Sequence, residues 1–329
     1  MTIAPSRSDT SVSMVELFAR DFGQLVANVE RAVVGKTSCV RLALACLFTG
    51  GHLLLEDVPG TGKTSLAKAV AQTVQGMHRR IQFTPDLLPS DITGGYTYEP
   101  RTGALTLRHG PIFANVLLAD EINRASPKTQ AALLQGMEEG FVTIDGNDHQ
   151  LPQPFMVVAT QNPIEQAGTY PLPEAQLDRF LVRTELGHPD TAATVCLLRE
   201  AAVRDRSAGL HPIIDADGVV DRQQVVAGLH VQEEILRYVS DIAAATRYAP
   251  GVKVGCSVRG CLALVRLAKT WAAAQGRPYV LPDDIQHLAV PVIAHRLVLD
   301  IEAEFAGTTR ASVVQRVIDE LPVPQTRGR

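Results

Sequence analysis

A glycine-rich turn that ends in lysine and threonine is the segment of this chain best suited to chemistry. Residues 56–64 read Glu-Asp-Val-Pro-Gly-Thr-Gly-Lys-Thr and follow an apolar run at residues 53–55. Gly60 and Gly62 allow successive backbone N–H groups to converge on phosphate oxygens. Lys63 can then reach the β- and γ-phosphates, and the hydroxyl of Thr64 can hold Mg²⁺. The segment therefore predicts a phosphate-binding loop between a buried strand and a helix.

Asp57 is a departure of this loop from the strict pattern, which has glycine at its first position. The change removes one permissive backbone position and leaves the phosphate chemistry intact. A glycine-rich turn that merely precedes lysine and threonine is the alternative. The apolar run before the loop and the helix-like segment at residues 65–70 favour the phosphate-binding interpretation.

A second apolar run ends in two carboxylates. Residues 115–121 read Asn-Val-Leu-Leu-Ala-Asp-Glu, as expected of a central parallel strand that is buried on both faces. Carboxylates at its C-terminal end lie where ligands of open α/β folds bind. Asp120 is predicted to coordinate Mg²⁺ through water, and Glu121 to polarise the attacking water, which favours hydrolysis over transfer to another acceptor. An isolated Asp-Glu pair would be a solvated strand end, but together with Lys63 it indicates a nucleotide hydrolase.

Two further segments supply polar groups for the same sheet edge. The apolar residues 155–160 are followed by Gln-Asn-Pro, so the amide of Asn162 could hydrogen-bond the γ-phosphate or the nucleophilic water. Arg179, at the end of a short helix, could face the nucleotide of a neighbouring subunit and stabilise transition-state charge. A surface salt bridge of Arg179 with Asp178 or Glu174 is an equal alternative.

These segments resemble those of the AAA+ ATPases, and more narrowly those of the MoxR family (helix-2-insert clade). The resemblance covers nearly the whole chain from about residue 15. Its most specific part is Ala-Asp-Glu-Ile-Asn-Arg-Ala at 119–125 together with Ala-Thr-Gln-Asn-Pro at 159–163. Further matching segments are residues 33–35, 51–60, 110–115 and 177–180. Asp57 also fits, because members of this family often lack the first glycine.

The resemblance implies ATP and Mg²⁺ as cofactors, and hydrolysis in a ring homo-oligomer that is expected to be a hexamer. It also implies sensor 1 at Asn162 and the arginine finger at Arg179. Residues 33–35 would form a loop near the adenine, although they can equally be a helix end capped by glycine. The expected nucleotide-binding residues are Val34, Gly35, Pro59, Gly60, Thr61, Gly62, Lys63, Thr64 and Ser65, with Thr64 and Asp120 at the metal.

The fold class implied is α/β, a three-layer AAA+ core with a parallel sheet followed by a small all-α lid. We expect a flexible tail over residues 1–13, a nucleotide-binding core over 14–188 and a helical lid over 189–329. Two β-hairpin insertions are predicted in the core, at residues 97–108 and 141–151. In the resembled clade such hairpins project toward the ring pore or a client; ordinary surface decoration is the alternative.

The lid is predicted to consist of helices without strands. Residues 231–245, 257–274 and 282–297 show apolar residues at helical spacing. Ser257 could cap the second of these helices, and the resemblance makes Arg259, in its first turn, the sensor 2 that reaches the γ-phosphate. A solvated arginine is the alternative, although the helix dipole disfavours a cation there. The pair His295-Arg296 is expected to cap the third helix at its C-terminus.

Composition restricts the function classes further. The chain has 329 residues, 46% of them apolar, which suffices for two domains. A net charge of −4 without a long basic run weakens a nucleic-acid role. The five cysteines are scattered without a Cys-x-x-Cys pair and indicate buried thiols of a reducing cytosol. With no apolar core for a signal peptide in residues 1–13 and no membrane span, we expect a cytoplasmic protein.

The expected function is therefore Mg²⁺-dependent ATP hydrolysis by an oligomeric, chaperone-like motor that matures or remodels protein complexes. The resemblance suggests a client that is a separate polypeptide, including a partner with a von Willebrand factor A domain. Three alternatives stay open: a nucleic-acid-remodelling motor, an ATP-gated interaction scaffold with little turnover, and a P-loop kinase of small molecules. The carboxylate Glu121 argues against the last two.

Overall fold

The chain folds into two compact units. A computed structural model describes residues 7–58, 60–101, 103–162, 169–199 and 205–325, with backbone alone for residues 7–12. The core unit comprises residues 24–180 and 184–220. The lid unit comprises the described residues up to 23, residues 181–183 and the described residues from 221 onward.

The strands, in chain order, are β1 (Leu53–Glu56), β2 (His78–Gln82), β3 (Gly94–Glu99), β4 (Ala104–His109), β5 (Val116–Asp120), β6 (Phe141–Ile144), β7 (Asn147–Gln150), β8 (Met156–Gln161), β9 (Val182–Thr184), β10 (Val252–Val254) and β11 (Val298–Leu299). The helices are α1 (Arg7–Glu30), α2 (Thr37–Phe48), α3 (Lys63–Thr73), α4 (Pro89–Thr93), α5 (Pro127–Glu139), α6 (Glu174–Leu177), α7 (Thr191–Arg199), α8 (Ala216–Ala227), α9 (Glu233–Tyr248), α10 (Val258–Ala273), α11 (Pro282–Ile293), α12 (Ile301–Phe305) and α13 (Arg310–Glu320). Short 3₁₀ turns cover Ile122–Arg124, Arg206–Gly209 and Ala294–Arg296.

Five strands form one sheet in the order β2-β5-β8-β1-β9. The pairs β2–β5, β5–β8 and β8–β1 are parallel. β5 is buried throughout and β8 along nearly its whole length, which confirms the prediction from their uninterrupted apolar runs. The chain passes from β1 to β2, returns through β5 and β8, and then crosses to β9 on the other side of β1. The strand order therefore reverses at β1, and ligands of open α/β sheets bind at such a reversal.

Local sequence signals explain how α5 begins and ends beside this sheet. Ser126 precedes the helix and its hydroxyl accepts a hydrogen bond from the backbone N–H of Thr129 (3.4 Å), while Pro127 occupies the first turn. Gly140 ends the helix with a φ of 72°, a conformation that glycine adopts without strain. Leu133, Leu134 and Met137 are buried against the sheet side of the core, as predicted.

Both predicted hairpins are present. β3 pairs antiparallel with β4 from Gly94↔His109 to Glu99↔Ala104, so this hairpin begins three residues earlier than the sequence indicates. β6 pairs antiparallel with β7, and Asp145 and Gly146 turn between them with φ values of 49° and 83°. Two positive φ angles in a two-residue loop are typical of the type I′ turn that Asp-Gly favours.

The lid unit contains the three predicted helices, as α9, α10 and α11. The prediction that this region has no strands was wrong, because β10 and β11 pair antiparallel through Val252↔Leu299. Strands of two or three residues are too short for the alternation that identifies a strand in a sequence. Arg296 behaves as predicted for the end of α11, since its guanidinium donates to the carbonyl of Val292, and it also donates to Leu181 O (3.4 Å).

The compact units differ in extent from the predicted domains. Residues 184–220 group with the core unit, although the absence of long apolar strands suggested a boundary after residue 188. Hydrogen bonds explain the difference: the N–H groups of Ile213 and Ile214 donate to Thr73 O, and Asn28 donates to Thr73 Oγ1 and His211 O. At the N-terminus, α1 begins at Arg7, inside the segment expected to be a tail. None of the helices within the described ranges is both long and apolar enough to cross a membrane.

Candidate functional site

The phosphate-binding loop has the geometry that its sequence predicts. Gly60 and Gly62 have φ values of 87° and 102°, which side chains with a Cβ rarely adopt, and α3 begins directly after Gly62. Lys63 is 9% exposed, and its ammonium donates to the carbonyls of Asp57 (3.0 Å) and Val58 (3.4 Å). A nearly buried ammonium whose described acceptors are neutral carbonyls suits an anionic ligand. Pro59, also predicted to contact the nucleotide, lies outside the described residues.

The carboxylate of Asp57 has a structural role that the sequence did not reveal. Asp57 is 6% exposed and accepts hydrogen bonds from the backbone N–H groups of Leu186 (2.5 Å) and Gly187 (3.0 Å), just after β9. Hydrogen bonds to an ionised acceptor are among the strong ones in proteins. The residue that replaces the expected glycine therefore ties the beginning of the phosphate-binding loop to the segment that follows β9.

Asp120, the predicted metal ligand, lies at the carboxyl end of β5 and is 9% exposed. Its Oδ1 accepts from the hydroxyl of Thr160 (2.7 Å), and its Oδ2 accepts from Nη2 of Arg80 on β2 (2.7 Å). Thr160 is completely buried on β8. Two neighbouring strands thus orient the carboxylate, and neither partner was identified from the sequence.

Glu121, the predicted base, follows immediately in a left-handed conformation with a φ of 57° and a ψ of 50°. Non-glycine residues in this region are uncommon and concentrate at functional sites. Its backbone N–H donates to Thr160 Oγ1 (2.8 Å), which holds the turn in place. Its carboxylate accepts from Gln82 Nε2 (2.9 Å) and from Arg124 Nη1 (3.1 Å).

The remaining predicted residues of the core unit are found on two further elements. Asn162 is 6% exposed and directly follows β8, so it lies at the same sheet edge as Asp120. Arg179 follows α6 and forms an ion pair with Glu138 of α5, with 2.8 Å between Nε and Oε2. The surface salt bridge considered for Arg179 is therefore present with a partner other than the two that the sequence suggested.

A cavity of about 240 Å³ adjoins the phosphate-binding loop. Among the predicted residues, Val34, Gly60, Thr61, Gly62 and Ser65 line it. Two cations that the sequence analysis missed, Lys36 and Arg206, line it as well. Isolated basic residues in long sequences carry no signal of their own, which is why they escaped notice.

Gly35, the other residue predicted near the adenine, is explained by packing. It has a φ of 73°, and a Cβ at this position would lie 2.7 Å from the Cβ of Ala193 on α7. Glycine is therefore required for the close approach of this loop to α7.

Arg259, the predicted sensor 2, belongs to the lid unit and lies in the first turn of α10. The hydroxyl of Ser257 accepts from the N–H of Gly260 (3.3 Å), which confirms the predicted cap. The role of Arg259 toward the γ-phosphate stays a prediction.

Comparison with known proteins agrees with this geometry. Residues 52–182 match the model of the ATPase family associated with various cellular activities (AAA), and residues 244–317 match an AAA lid domain. A crystal structure of an ATPase candidate from Cytophaga hutchinsonii is similar with a TM-score of 0.89 and 34% identity, over 96% of this chain and 99% of that one. Fold and site thus define an AAA+ ATPase with a helical lid.

Relatives narrow the class to a family. An uncharacterised Bacillus subtilis protein, YeaC, is 45% identical over 93% of this chain and 96% of its own. Chaperone MoxR1 of Mycobacterium tuberculosis is 38% identical over 92% of this chain and 82% of its own, and protein MoxR of Paracoccus denitrificans is 31% identical over 92% and 96%. The chain belongs to the MoxR family of AAA+ ATPases.

Proposed function

We propose that the protein hydrolyses ATP with Mg²⁺ as a ring homo-oligomer, expected to be a hexamer, in the cytoplasm, and uses the cycle to remodel a protein client. The observation that carries this proposal is the convergence of three strand ends at one edge of the sheet. Lys63 begins α3 after the loop that follows β1, Asp120 ends β5 with Glu121 directly after it, and Asn162 follows β8. The cavity of about 240 Å³ adjoins the phosphate-binding loop.

Each residue has a distinct part in the proposed reaction. The backbone of residues 60–63 and the ammonium of Lys63 bind and orient the phosphates. Thr64 and Asp120 would hold Mg²⁺, which offsets charge on the β- and γ-phosphates when it is bound. Glu121 accepts a proton from the attacking water, and Asn162 orients that water against the γ-phosphate. Gln82 and Arg124 donate hydrogen bonds to the carboxylate of Glu121 and set its direction before the nucleotide arrives.

A pair of variants tests the proposed base. Glu121→Gln keeps the size of the side chain and removes its basicity, so we expect ATP binding to persist and turnover to fall by about 10²- to 10⁴-fold. Lys63→Ala should lose nucleotide binding. Glu234→Gln, an exposed glutamate of α9, is the matched control and should turn over like the wild type. A Glu121→Gln protein with full activity would refute the assignment.

The shared site is tested by mixing two inactive variants. If Arg179 acts across a subunit boundary, an Arg179→Ala subunit with its intact phosphate loop can use the arginine of a Lys63→Ala neighbour. In a randomly mixed ring with head-to-tail interfaces, an equal mixture should recover about a quarter of the wild-type rate. Turnover per protomer should also rise with protein concentration and then level off. Absence of complementation, at concentrations where sizing shows assembly, would remove Arg179 from the active site.

The hairpin β3–β4 is the surface that we propose contacts the client. Tyr98 and Leu105 lie directly opposite each other in register and are 60% and 67% exposed. A solvent-exposed apolar pair at the same point of a hairpin is suited to grip unfolded or loosely folded chain. The double variant Tyr98→Ser/Leu105→Ser should keep basal ATP turnover and lose its stimulation by a permanently unfolded model protein. Unchanged stimulation would contradict this assignment.

A separate protein with a von Willebrand factor A domain remains the partner to test by pull-down.

A further inference from the structure

The edge strand β2 aims two polar side chains at the end of β5. Arg80 and Gln82 are two residues apart, so they share one face of the sheet. Gln82 lies opposite Asp120 in register, and Arg80 lies opposite Leu118, which makes Arg80 the diagonal neighbour of Asp120. Long side chains reach diagonal neighbours across adjacent strands.

The two side chains are also bonded to each other. Nη2 of Arg80 donates both to Asp120 Oδ2 (2.7 Å) and to Gln82 Oε1 (2.8 Å). Because the amide oxygen of Gln82 is taken by Arg80, its amide nitrogen faces Glu121, where it donates at 2.9 Å. One guanidinium therefore contacts the carboxylate of Asp120 directly and orients the amide of Gln82, which in turn contacts the carboxylate of Glu121.

The charge on Asp120 is compensated within the protein itself. The side chain of Asp120 is 12% exposed, and a carboxylate buried to this extent is costly without a cation or several hydrogen-bond donors. Arg80 supplies the cation, and its own side chain is 48% exposed. A divalent cation that binds through Asp120 meets this positive charge, and the half-exposed guanidinium can move toward solvent at little cost.

We propose that Arg80 is a positioning residue that competes with the metal ion for Asp120 and thereby sets the metal affinity of the site. The inference rests on the proposed function, because it takes Asp120 to be the metal ligand. It adds that metal binding displaces Arg80 and releases the amide of Gln82 from its fixed orientation.

The test measures the affinity of the protein for a fluorescent, slowly hydrolysed ATP analogue, once with Mg²⁺ and once with EDTA. The ratio of the two affinities is the advantage conferred by the metal. Arg80→Gln removes the competing charge, so this advantage should grow by about three- to tenfold; solvent screening of the half-exposed charge keeps it modest. Arg79→Gln is the matched control, since it removes the same charge from the same strand on the other face, and should match the wild type. An unchanged or smaller advantage in Arg80→Gln would overturn the inference.

A measurement on the wild-type protein covers the case in which Arg80→Gln fails to fold. Phenylglyoxal modifies accessible arginines, and mass spectrometry separates Arg80 from its neighbour Arg79. The analogue with Mg²⁺ should speed modification of Arg80 relative to the analogue with EDTA, with Arg79 as the internal reference. Equal rates would sink the inference and leave the proposed function standing. A wild-type protein that binds no nucleotide under either condition would instead refute the proposed function, and the inference with it.

Discussion

Replacing Asp57 with glycine restores the strict phosphate-loop pattern, and we expect this substitution to lower the free energy of unfolding. The carboxylate accepts two backbone hydrogen bonds, each worth about 1.5–3 kcal/mol because the acceptor is ionised. Leu186 is 4% exposed, so its N–H would stay without a partner, whereas Gly187 is partly exposed and can bond to water. The expected loss is therefore near the lower end of the sum, about 3 kcal/mol.

Calorimetry of thermal unfolding measures this effect. For a unit of this size, a loss of about 3 kcal/mol lowers Tm by roughly 6–12 °C. Asp57→Asn keeps one acceptor oxygen and should lose about half as much as Asp57→Gly. Asp241→Ala, at an exposed position in the middle of α9, is the control and should stay within about 0.5 kcal/mol of the wild type. An Asp57→Gly protein that melts with the wild type would show that the two hydrogen bonds contribute nothing, and the reasoning would fail.

Two further predictions concern titration. Burial lowers the pKa of His52 to about 4, so between pH 6.5 and 4 the unfolded chain binds a proton that the folded state does not, and stability should fall by about 3 kcal/mol as the pH drops through this window. A plot of the urea unfolding midpoint against pH should show this fall in the wild type and not in His52→Asn. The same fall in both proteins would contradict the prediction. The pKa of Cys261 is lowered, chiefly by a hydrogen bond from Cys256, whereas burial raises the pKa of Cys39 to about 12. Iodoacetamide at about pH 7.5 should therefore label Cys261 much faster than Cys39, and the Cys261 rate should fall as the pH is lowered. Equal labelling by peptide mass spectrometry would contradict the shift.

The hydrogen bonds of the buried His52 ring fix its neutral tautomer. Its Nδ1 accepts from the N–H of Val157 (3.0 Å), so Nε2 carries the proton and donates to the carbonyl of Met137 (3.0 Å). The neutral ring thereby provides hydrogen-bond partners for a backbone N–H of β8 and for a carbonyl in the last turn of α5. Protonation would put a second hydrogen on Nδ1, break the bond from Val157 and bury a charge.

The parts of the fold that the sequence predicted depend on short segments. The phosphate-binding loop, the central strands β5 and β8, the Asp-Gly turn and the cap at Ser126 each follow from a few consecutive residues whose backbone preferences agree. Extended apolar runs identified buried strands because both faces of a central strand pack against the hydrophobic core. Similar local signals placed Lys63 at the start of a helix, and Asp120, Glu121 and Asn162 at strand ends.

The partners of these residues could not be predicted, because they come from distant parts of the chain. Arg80 is 40 positions from Asp120, and Leu186 is 129 positions from Asp57. Which side chain meets which carboxylate depends on strand order and register, and a sequence pattern contains neither. The same holds for Arg179, whose partner Glu138 lies on α5 and not in the neighbouring sequence.

Thr160 connects the proposed phosphate sensor to the proposed chemistry. Its hydroxyl donates to Asp120 Oδ1 and accepts from the N–H of Glu121, so a single buried side chain contacts the carboxylate of Asp120 and the backbone of Glu121. Asn162 is two residues further along the chain, directly after β8. The proposed sensor is therefore close in sequence to a residue that bonds to Asp120 and Glu121 through hydrogen bonds of 2.7 and 2.8 Å. Arg80 contacts Asp120 from β2, on the other side of β5, so the proposed metal ligand lies between Thr160 and Arg80.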